Sequence, residues 1–347
     1  HFLQTFAGAA TFPAMPPDRA PTLHDVARRA GVHPATVSRA LSRPDMVAAA
    51  TREAVLAAVE EVGFVPNRAA RRLVSGRSDA IGVLVPDITN PYFGAMVQAI
   101  QGDARRDGLA VLIADTGADP AEERRALQAL SRQVDGLVAV TPITDLAAAT
   151  VPVVAVNRQL RNHASVVVDQ DAIAHLALGH LVDLGHRRIA VVRGPAAYWS
   201  AMRRDRAVER FAAGAEGCRI DLIGPAPATF EGGRTAYGAV DSSGASAVVA
   251  FNDLQATGLL VAAGEAGREV PSSLTVVGSD GLGLAAMTAP PLTTVAAPLE
   301  ELGRTSRQLL GELLQDASGA RRVTLSPRLV VRRTSAAPRG WRPCRHS

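Results

Sequence analysis

The sequence contains no lysine: all 37 of its basic side chains are arginine. It has only two cysteines, Cys218 and Cys344. They lie too far apart for a disulfide framework or a cysteine-held metal, which suits a reducing cytosol. No apolar run approaches the roughly 20 residues that a membrane-spanning helix needs, so no membrane association is expected. Recognisable catalytic signatures are missing as well. No Ser–His–Asp or paired-carboxylate arrangement stands out, and the glycine-rich run Gly278–Gly283 lacks the Gly-Lys-[Ser/Thr] ending of a phosphate loop. His175, His180 and His186 are spaced five and six apart, so they do not share one helical face. No metal and no cofactor are expected, and the chain is not expected to be an enzyme. Residues 1–19 lack the positive start of a secretory signal and read as a disordered leader to a cytoplasmic protein.

What is present is a globular composition, 47% hydrophobic and 20% charged over 347 residues, enough for two to three domains. The charge becomes informative when it is divided along the chain. Residues 19–78 carry ten Arg against five acidic side chains, 79–320 carry nineteen against twenty-seven, and 321–347 carry eight against none. A polyanion is attracted by the head and repelled by the body, so nucleic acid should meet the N-terminus.

That head reads as three short helices. Leu23, Val26, Ala27 and Ala30 recur at helical spacing, with Thr22 at the start and Asp25 three residues on, a capping-box arrangement. Gly31 permits a sharp turn, and Pro34 suits the first turn of a second helix that buries Val37, Ala40 and Leu41. Thr51–Val62 repeats the pattern with Val55, Ala58, Val59 and Val62, and stops at Gly63. Three helices with a glycine turn between the first two predict a helix-turn-helix, whose second helix enters the major groove. The candidate DNA-facing residues are His33, Pro34, Ala35, Thr36, Ser38 and Arg39. Arg39 is the best base reader, because a guanidinium matches guanine O6 and N7 in a bidentate pair. A small helical bundle without a nucleic-acid role is the alternative.

The runs Thr22-Leu-His-Asp-Val-Ala-Arg-Arg-Ala-Gly-Val and Ala35-Thr-Val-Ser-Arg-Ala-Leu41 resemble the helix-turn-helix of the LacI/GalR repressor family. Thr51–Phe64 is similar to that family's third helix, and Pro66-Asn-Arg-Ala-Ala-Arg-Arg-Leu73 to its hinge. The resemblance adds Thr22, Leu23, Asn67, Arg71 and Leu73 to the DNA-contacting set. It also implies that paired Leu73 side chains wedge into the minor groove and kink the duplex. The hinge stretch is too short to hold a helix alone, so pairing on DNA would order it. The sequence departs from the family at Pro34 and Ala35, where polar base readers are usual, at Ser42 in place of a common Asn, and at Ala48 in place of a polar cap.

From Ala80 onward, near-continuous Val/Ile/Leu strands alternate with amphipathic helices, the pattern of doubly wound parallel sheets. Eight strands are expected, beginning near Ala80, Ala110, Gly136, Val153, Ser165, Arg188, Ala247 and Leu274, with six helices between and after them. So much chain exceeds one such sheet, which predicts two lobes closing on a ligand at the carboxyl ends of their strands. The resemblance implies a sensor core of the periplasmic-binding-protein type. It places Asn90, Tyr92, Phe93, Asn157, Arg158, Tyr198, Ser200, Arg204, Asn252 and Asp280 at effector-contact positions, with Trp199 and Phe230 near an aromatic cover. Asp253 can contact ligand or simply cap the following helix. Amides, carboxylate and aromatic faces suit a polyol, though a nucleobase would also stack on Trp199 or Phe93.

The expected organisation is a helix-turn-helix domain at 20–65, a hinge and linker at 66–78, a two-lobed effector-binding and dimerisation domain at 79–334, and a disordered basic tail at 335–347. The expected function is a ligand-responsive repressor that binds a pseudo-palindromic operator in double-stranded DNA as a homodimer and senses a small polar effector, a sugar foremost. The rivals are an exported sugar-binding protein, which would need no DNA-reading head, and an enzyme of doubly wound fold. Two Pro, one Gly and no Leu in 334–347 exclude a heptad helix there, so a dimer is expected rather than a tetramer.

Overall fold

The computed structural model describes residues 21–42, 44–64, 77–315 and 320–339. The leader, the hinge residues Asn67, Arg71 and Leu73, and residues 340–347 lie outside them. Contacts divide the chain between Ser78 and Asp79 into two units.

The N-terminal unit contains α1 (Leu23–Ala30), α2 (Pro34–Ser42) and α3 (Ala49–Val62). At the start of α1 the Asp25 carboxylate accepts from the Thr22 backbone N–H at 2.9 Å and from its hydroxyl at 2.6 Å. Gly31 ends α1 at φ 64°, a left-handed conformation that glycine adopts without strain, and its N–H returns to the Ala27 carbonyl. Val26, Ala27, Val37, Ala40, Val55 and Ala58 form the buried core of this unit. α3 begins two residues before Thr51 because Ala49 and Ala50 are strong helix formers, although Ala48 offers no side-chain cap.

The C-terminal unit contains two six-stranded sheets. The first lobe holds β1 (Ala80–Val85), β2 (Ala110–Asp115), β3 (Gly136–Val140), β4 (Val153–Val156), β5 (Ala164–Val168) and β11 (Arg322–Leu325), in the order β11-β5-β4-β3-β1-β2, all parallel. β1, β3, β4 and β5 are buried along their whole length, which is why they read as unbroken apolar runs. Helices α4 (Pro91–Arg106) and α5 (Pro120–Ser131) join the first three strands.

The second lobe holds β6 (Arg188–Val192), β7 (Arg219–Ile223), β8 (Ala247–Val249), β9 (Thr275–Asp280), β10 (Thr293–Ala296) and β12 (Arg328–Val330). The order β12-β10-β9-β8-β6-β7 repeats the winding of the first lobe, except that β12 runs antiparallel to β10. Its helices are α6 (Gln170–Asp183), α7 (Trp199–Gly214), α8 (Phe230–Ser242) and α9 (Asp253–Glu265). α10 (Leu299–Gln315) returns to pack on α4 in the first lobe. The chain therefore crosses between the lobes three times: before α6, before α10, and between β11 and β12.

β7, β10, β11, β12 and α8 were not expected from the sequence. β7 is a half-exposed edge strand, and β10 reads Thr-Thr-Val-Ala, its threonines buried only because they find partners. α8 carries three glycines, and packing supplies the reason for two: a Cβ on Gly232 would lie 2.1 Å from the Pro227 carbonyl oxygen. A Cβ on Gly233 would lie 2.0 Å from the Gln255 carbonyl oxygen, and one on Gly258 would lie 2.0 Å from that of Phe230, so α8 and α9 meet backbone to backbone. Gly258→Ala is expected to lower stability by about 1–3 kcal/mol despite alanine's better helix propensity. Thermal unfolding measures it, and an unchanged Tm would show that the two helices can separate at no cost.

The expectation of a disordered tail from residue 335 is corrected at its start. Ser335 Oγ meets His180 Nε2 at 2.9 Å, the Ala336 carbonyl accepts from His186 Nε2 at 2.9 Å and from Thr275 Oγ1 at 3.0 Å, and Arg339 pairs with Glu269. His186 is buried and its other ring nitrogen meets Ser246 Oγ. Two of the three histidines thus anchor the segment that follows β12, while His175 packs edge-on against Phe211.

Candidate functional site

In the N-terminal unit α2 buries Val37 and Ala40 and leaves Ala35 and Arg39 exposed one turn apart, with His33 exposed just before them. The periodicity of the helix dictates this, since i and i+4 share a face. His33 Nδ1 accepts from the Ala35 N–H at 3.2 Å and so caps α2 itself, leaving Nε2 outward. Pro34, Thr36 and Ser38 are half-buried, and Leu23 packs against the core of the unit. The basic neighbours Arg28 and Arg29 are engaged with Asp25 and Glu61.

In the C-terminal unit both sheets have the winding 2-1-3-4-5, whose switch point opens a crevice beyond the carboxyl ends of the strands. There a narrow cleft lies between the lobes. The first lobe contributes Asn90, Tyr92 and Phe93 after β1, Thr141 after β3 and Asn157 after β4. Asn90 also caps α4, its carbonyl oxygen accepting from the Tyr92 N–H at 3.0 Å. The second lobe contributes Gln170, Tyr198, Ser200, Arg204, Phe251, Asn252 and Asp280.

Arg204 is 8% exposed and extensively bonded. Its Nε and Nη2 donate to Gln170 Oε1 at 3.0 and 2.8 Å, and its Nη1 donates to the Phe251 carbonyl at 2.5 Å. The guanidinium also lies over the Phe251 ring, 4.6 Å from its centroid. Asn157 Nδ2 donates to the Tyr92 hydroxyl at 2.9 Å and to Thr141 Oγ1 at 3.2 Å, while its Oδ1 is buried without a partner. No described residue donates to the Asp280 carboxylate. Asp253, in contrast, is fully buried and satisfied, accepting from Thr294 Oγ1 at 2.6 Å and the Leu282 N–H at 2.8 Å. Asn252 caps α9, so Asp253 is left free to tie the loop after β9 to strand β10.

Burial drives the electrostatics here. It pushes Asp280 well above the usual carboxylate range, with the Asp253 charge adding to the shift and Arg204 opposing it. Asp253 is pushed up to about 6 by burial, against the lowering effect of its own hydrogen bonds. Burial, then the charge of Asp280, raises the Tyr92 phenol, and burial lowers Arg204 against the pull of Asp280. The backbone is strained in the same place. Among the described residues, six non-glycines have positive φ, and three of them line the cleft: Thr141 at 50°, Asn157 at 59° and Asp280 at 114°. A β-branched residue there is a genuine outlier, and such strain gathers at functional sites.

Nine of the twelve effector candidates come together in this cleft. Arg158, Trp199 and Phe230 are not among its lining. Arg158 Nη1 donates to the Pro142 carbonyl, Trp199 lies under the Arg203 guanidinium, and Phe230 opens α8, where its carbonyl meets Gly258. Thr141, Gln170 and Phe251 were missed. Each sits at the carboxyl end of a strand, the one signal that could have found them.

Two family models match the chain: "Bacterial regulatory proteins, lacI family" over residues 22–67 and "Periplasmic binding protein-like domain" over 178–335. The chain is 32% identical to the HTH-type transcriptional regulator DegA of Bacillus subtilis, across 91% of this chain and 98% of that one. It is 33% identical to the ribose operon repressor of Halalkalibacterium halodurans, across 90% and 97%. Among solved structures, the Lac repressor dimer bound to operator and an anti-inducer matches with a TM-score of 0.82 at 29% identity, across 92% of this chain and 100% of that one. A DNA-reading head on a two-lobed core, matched over nearly its whole length by such regulators, places this chain in the lacI family of bacterial transcriptional regulators.

Proposed function

We propose that this chain is a repressor whose two copies bind the half-sites of a pseudo-palindromic operator and whose cleft takes a small polar effector, a sugar foremost. The observation that carries the reading is the exposed face of α2, where Arg39 stands clear of the core beside His33 and Ala35. A guanidinium so placed suits a guanine edge. Asn67, Arg71 and Leu73 retain their assignment to the hinge on resemblance alone. Support for a dimer comes from large apolar side chains left in water on the C-terminal unit. Ile113 lies in edge strand β2 with Ile88 beside it, and Val261 and Met287 lie on and next to α9. The sugar reading rests on amide, hydroxyl and carboxylate groups set among aromatic faces in the cleft, and on the ribose operon repressor among the relatives. Effector and operator would act on each other through one coupling free energy, equal in both directions. No catalytic chemistry is assigned, the relatives being regulators.

Arg39→Ala is expected to cost about 1–3 kcal/mol on DNA that the full chain selects from a random pool, and to relax preference at one base pair per half-site. Binding isotherms on selected and random DNA measure it. Equal losses on both would assign Arg39 to the phosphates only, and no loss on either would remove α2 from the interface.

A further inference from the structure

Helix α5 buries the face that carries Leu127 and Leu130, and Glu123 lies on that same face at helical spacing. Periodicity reserves such a position for an apolar side chain, yet a carboxylate occupies it, only 4% exposed. The adjacent Glu122 is exposed and pairs with Arg125, whereas no cation pairs with Glu123 among the described residues. Its partners all come from the loop after β3. The Ile143 N–H donates to Oε2 at 2.9 Å, and the Thr144 N–H and hydroxyl donate to Oε1 at 2.8 and 2.5 Å. A buried carboxylate is tolerable only when bonded in this way, and bonds to a charged acceptor are the stronger kind.

The loop that Glu123 grips is strained at both ends. Thr141 and Leu146 hold left-handed backbones, at φ 50° and 64°, with Ile143 and Thr144 between them. A β-branched residue keeps that conformation only where its surroundings impose it. Thr141 is also the point at which the loop meets the cleft. Its Oγ1 accepts from Asn157 Nδ2 at 3.2 Å, and the same amide donates to the Tyr92 hydroxyl at 2.9 Å. Glu123, Ile143 and Thr144 are not among the cleft-lining residues.

We infer that Glu123 is a positioning residue for effector binding: from outside the cleft it holds Ile143 and Thr144 so that Thr141 stays left-handed with its hydroxyl on Asn157. The inference rests on the cleft being the effector site proposed above. An apolar side chain at this position would pack α5 equally well, but would leave two loop N–H groups without their acceptor and Thr141 free to relax.

The test is calorimetric titration of the full chain with D-ribose, D-glucose, D-galactose, adenosine and cytidine, the tightest binder being carried forward to variants alongside thermal unfolding. Glu123→Gln sets an NH2 where an oxygen accepted, so at least one loop donor loses its partner. Affinity is expected to fall at least about tenfold at a temperature where parent and variant are both folded. A lower Tm with unchanged affinity would reduce Glu123 to a structural anchor and overturn the inference. Thr141→Gly adopts φ 50° without help but gives up the hydroxyl, and it completes a double-mutant cycle. Because Glu123 acts through Thr141, the double variant should bind within about twofold of the worse single variant. Additive losses, or unchanged binding by Thr141→Gly alone, also overturn the inference. Should Glu123→Gln fail to fold, Thr144→Val, which removes only the hydroxyl donor, replaces it in the cycle with an expected loss of at least about threefold. Any of these failures leaves the proposed regulator intact. Absence of binding by the parent to every compound at millimolar concentration overturns the small polar effector itself, and this inference with it.

Discussion

Arg204→Ala is expected to abolish effector binding, with a loss of about 3 kcal/mol or more, and to destabilise the C-terminal unit as well. The guanidinium joins α6 through Gln170 to the end of β8 through Phe251, and among the described residues it is the one cation that acts on Asp280. Its removal orphans the Gln170 and Phe251 oxygens, each costing about 1–3 kcal/mol when no water replaces the donor. Arg204→Lys keeps the charge but cannot fork onto Gln170 while reaching Phe251, so it should recover stability only in part and binding very little. Calorimetry with the effector and thermal unfolding of the empty protein separate the two losses. Full binding by Arg204→Ala would place the effector outside this cleft.

Asp280→Asn should move stability and binding in opposite directions. The carboxyl of Asp280 is raised by burial and by Asp253, so the folded state holds its proton more tightly than the unfolded chain does. Stability from that proton is fully present below the unfolded value of about 4 and is lost as pH rises through the higher folded value. Asp253, pushed up to about 6, contributes with the same sign between about pH 4 and 6. Asparagine does not titrate. The variant should therefore unfold at a higher temperature than the parent at pH 8, with the gap closing as pH falls. Above the folded-state value, where the carboxyl is ionised, effector affinity should drop by about 1.5–3 kcal/mol, roughly ten- to a hundredfold, since a hydrogen bond to a charged acceptor becomes one to a neutral amide. Parallel pH series of Tm for the two proteins decide the matter. A gap that is constant with pH would show that Asp280 is not held protonated by the fold.

The head was the most legible part, because its packing is local. Three amphipathic stretches, a capping pair at Thr22 and Asp25 and a left-handed Gly31 lie within forty residues, and helical periodicity alone assigns Val26, Val37 and Val55 to the interior. The same rule left Arg39 outside. The strands of the first lobe were legible for a related reason: a strand buried on both faces must be apolar throughout. β7, β10 and α8 escaped because their composition answers to partners far along the chain. Thr293 and Thr294 are tolerable inside β10 only with Thr334, Ser335, Arg332 and Asp253 around them, and Gly233 of α8 is explained only by α9.

The same division runs through the site. From sequence, the polar residues after each strand could be nominated, since the carboxyl ends of parallel strands converge at a switch point. Local sequence cannot say which of them turn inward, nor whether each arrives with its hydrogen bonds already made. Trp199 and Phe230 looked suited to cover a ligand, yet the first sits under Arg203 and the second opens α8. Asp253 and Asp280 are both acidic residues near strand ends. One is saturated by Thr294 and the Leu282 N–H, while the other is left waiting beside Arg204. The sequence by itself determined the secondary structure of the head, the two-lobed winding and the family, because those follow from periodicity and short motifs. Only the tertiary structure decided which polar groups are spent and which remain open, because hydrogen-bond saturation and burial depend on neighbours brought together across separate strands and both lobes.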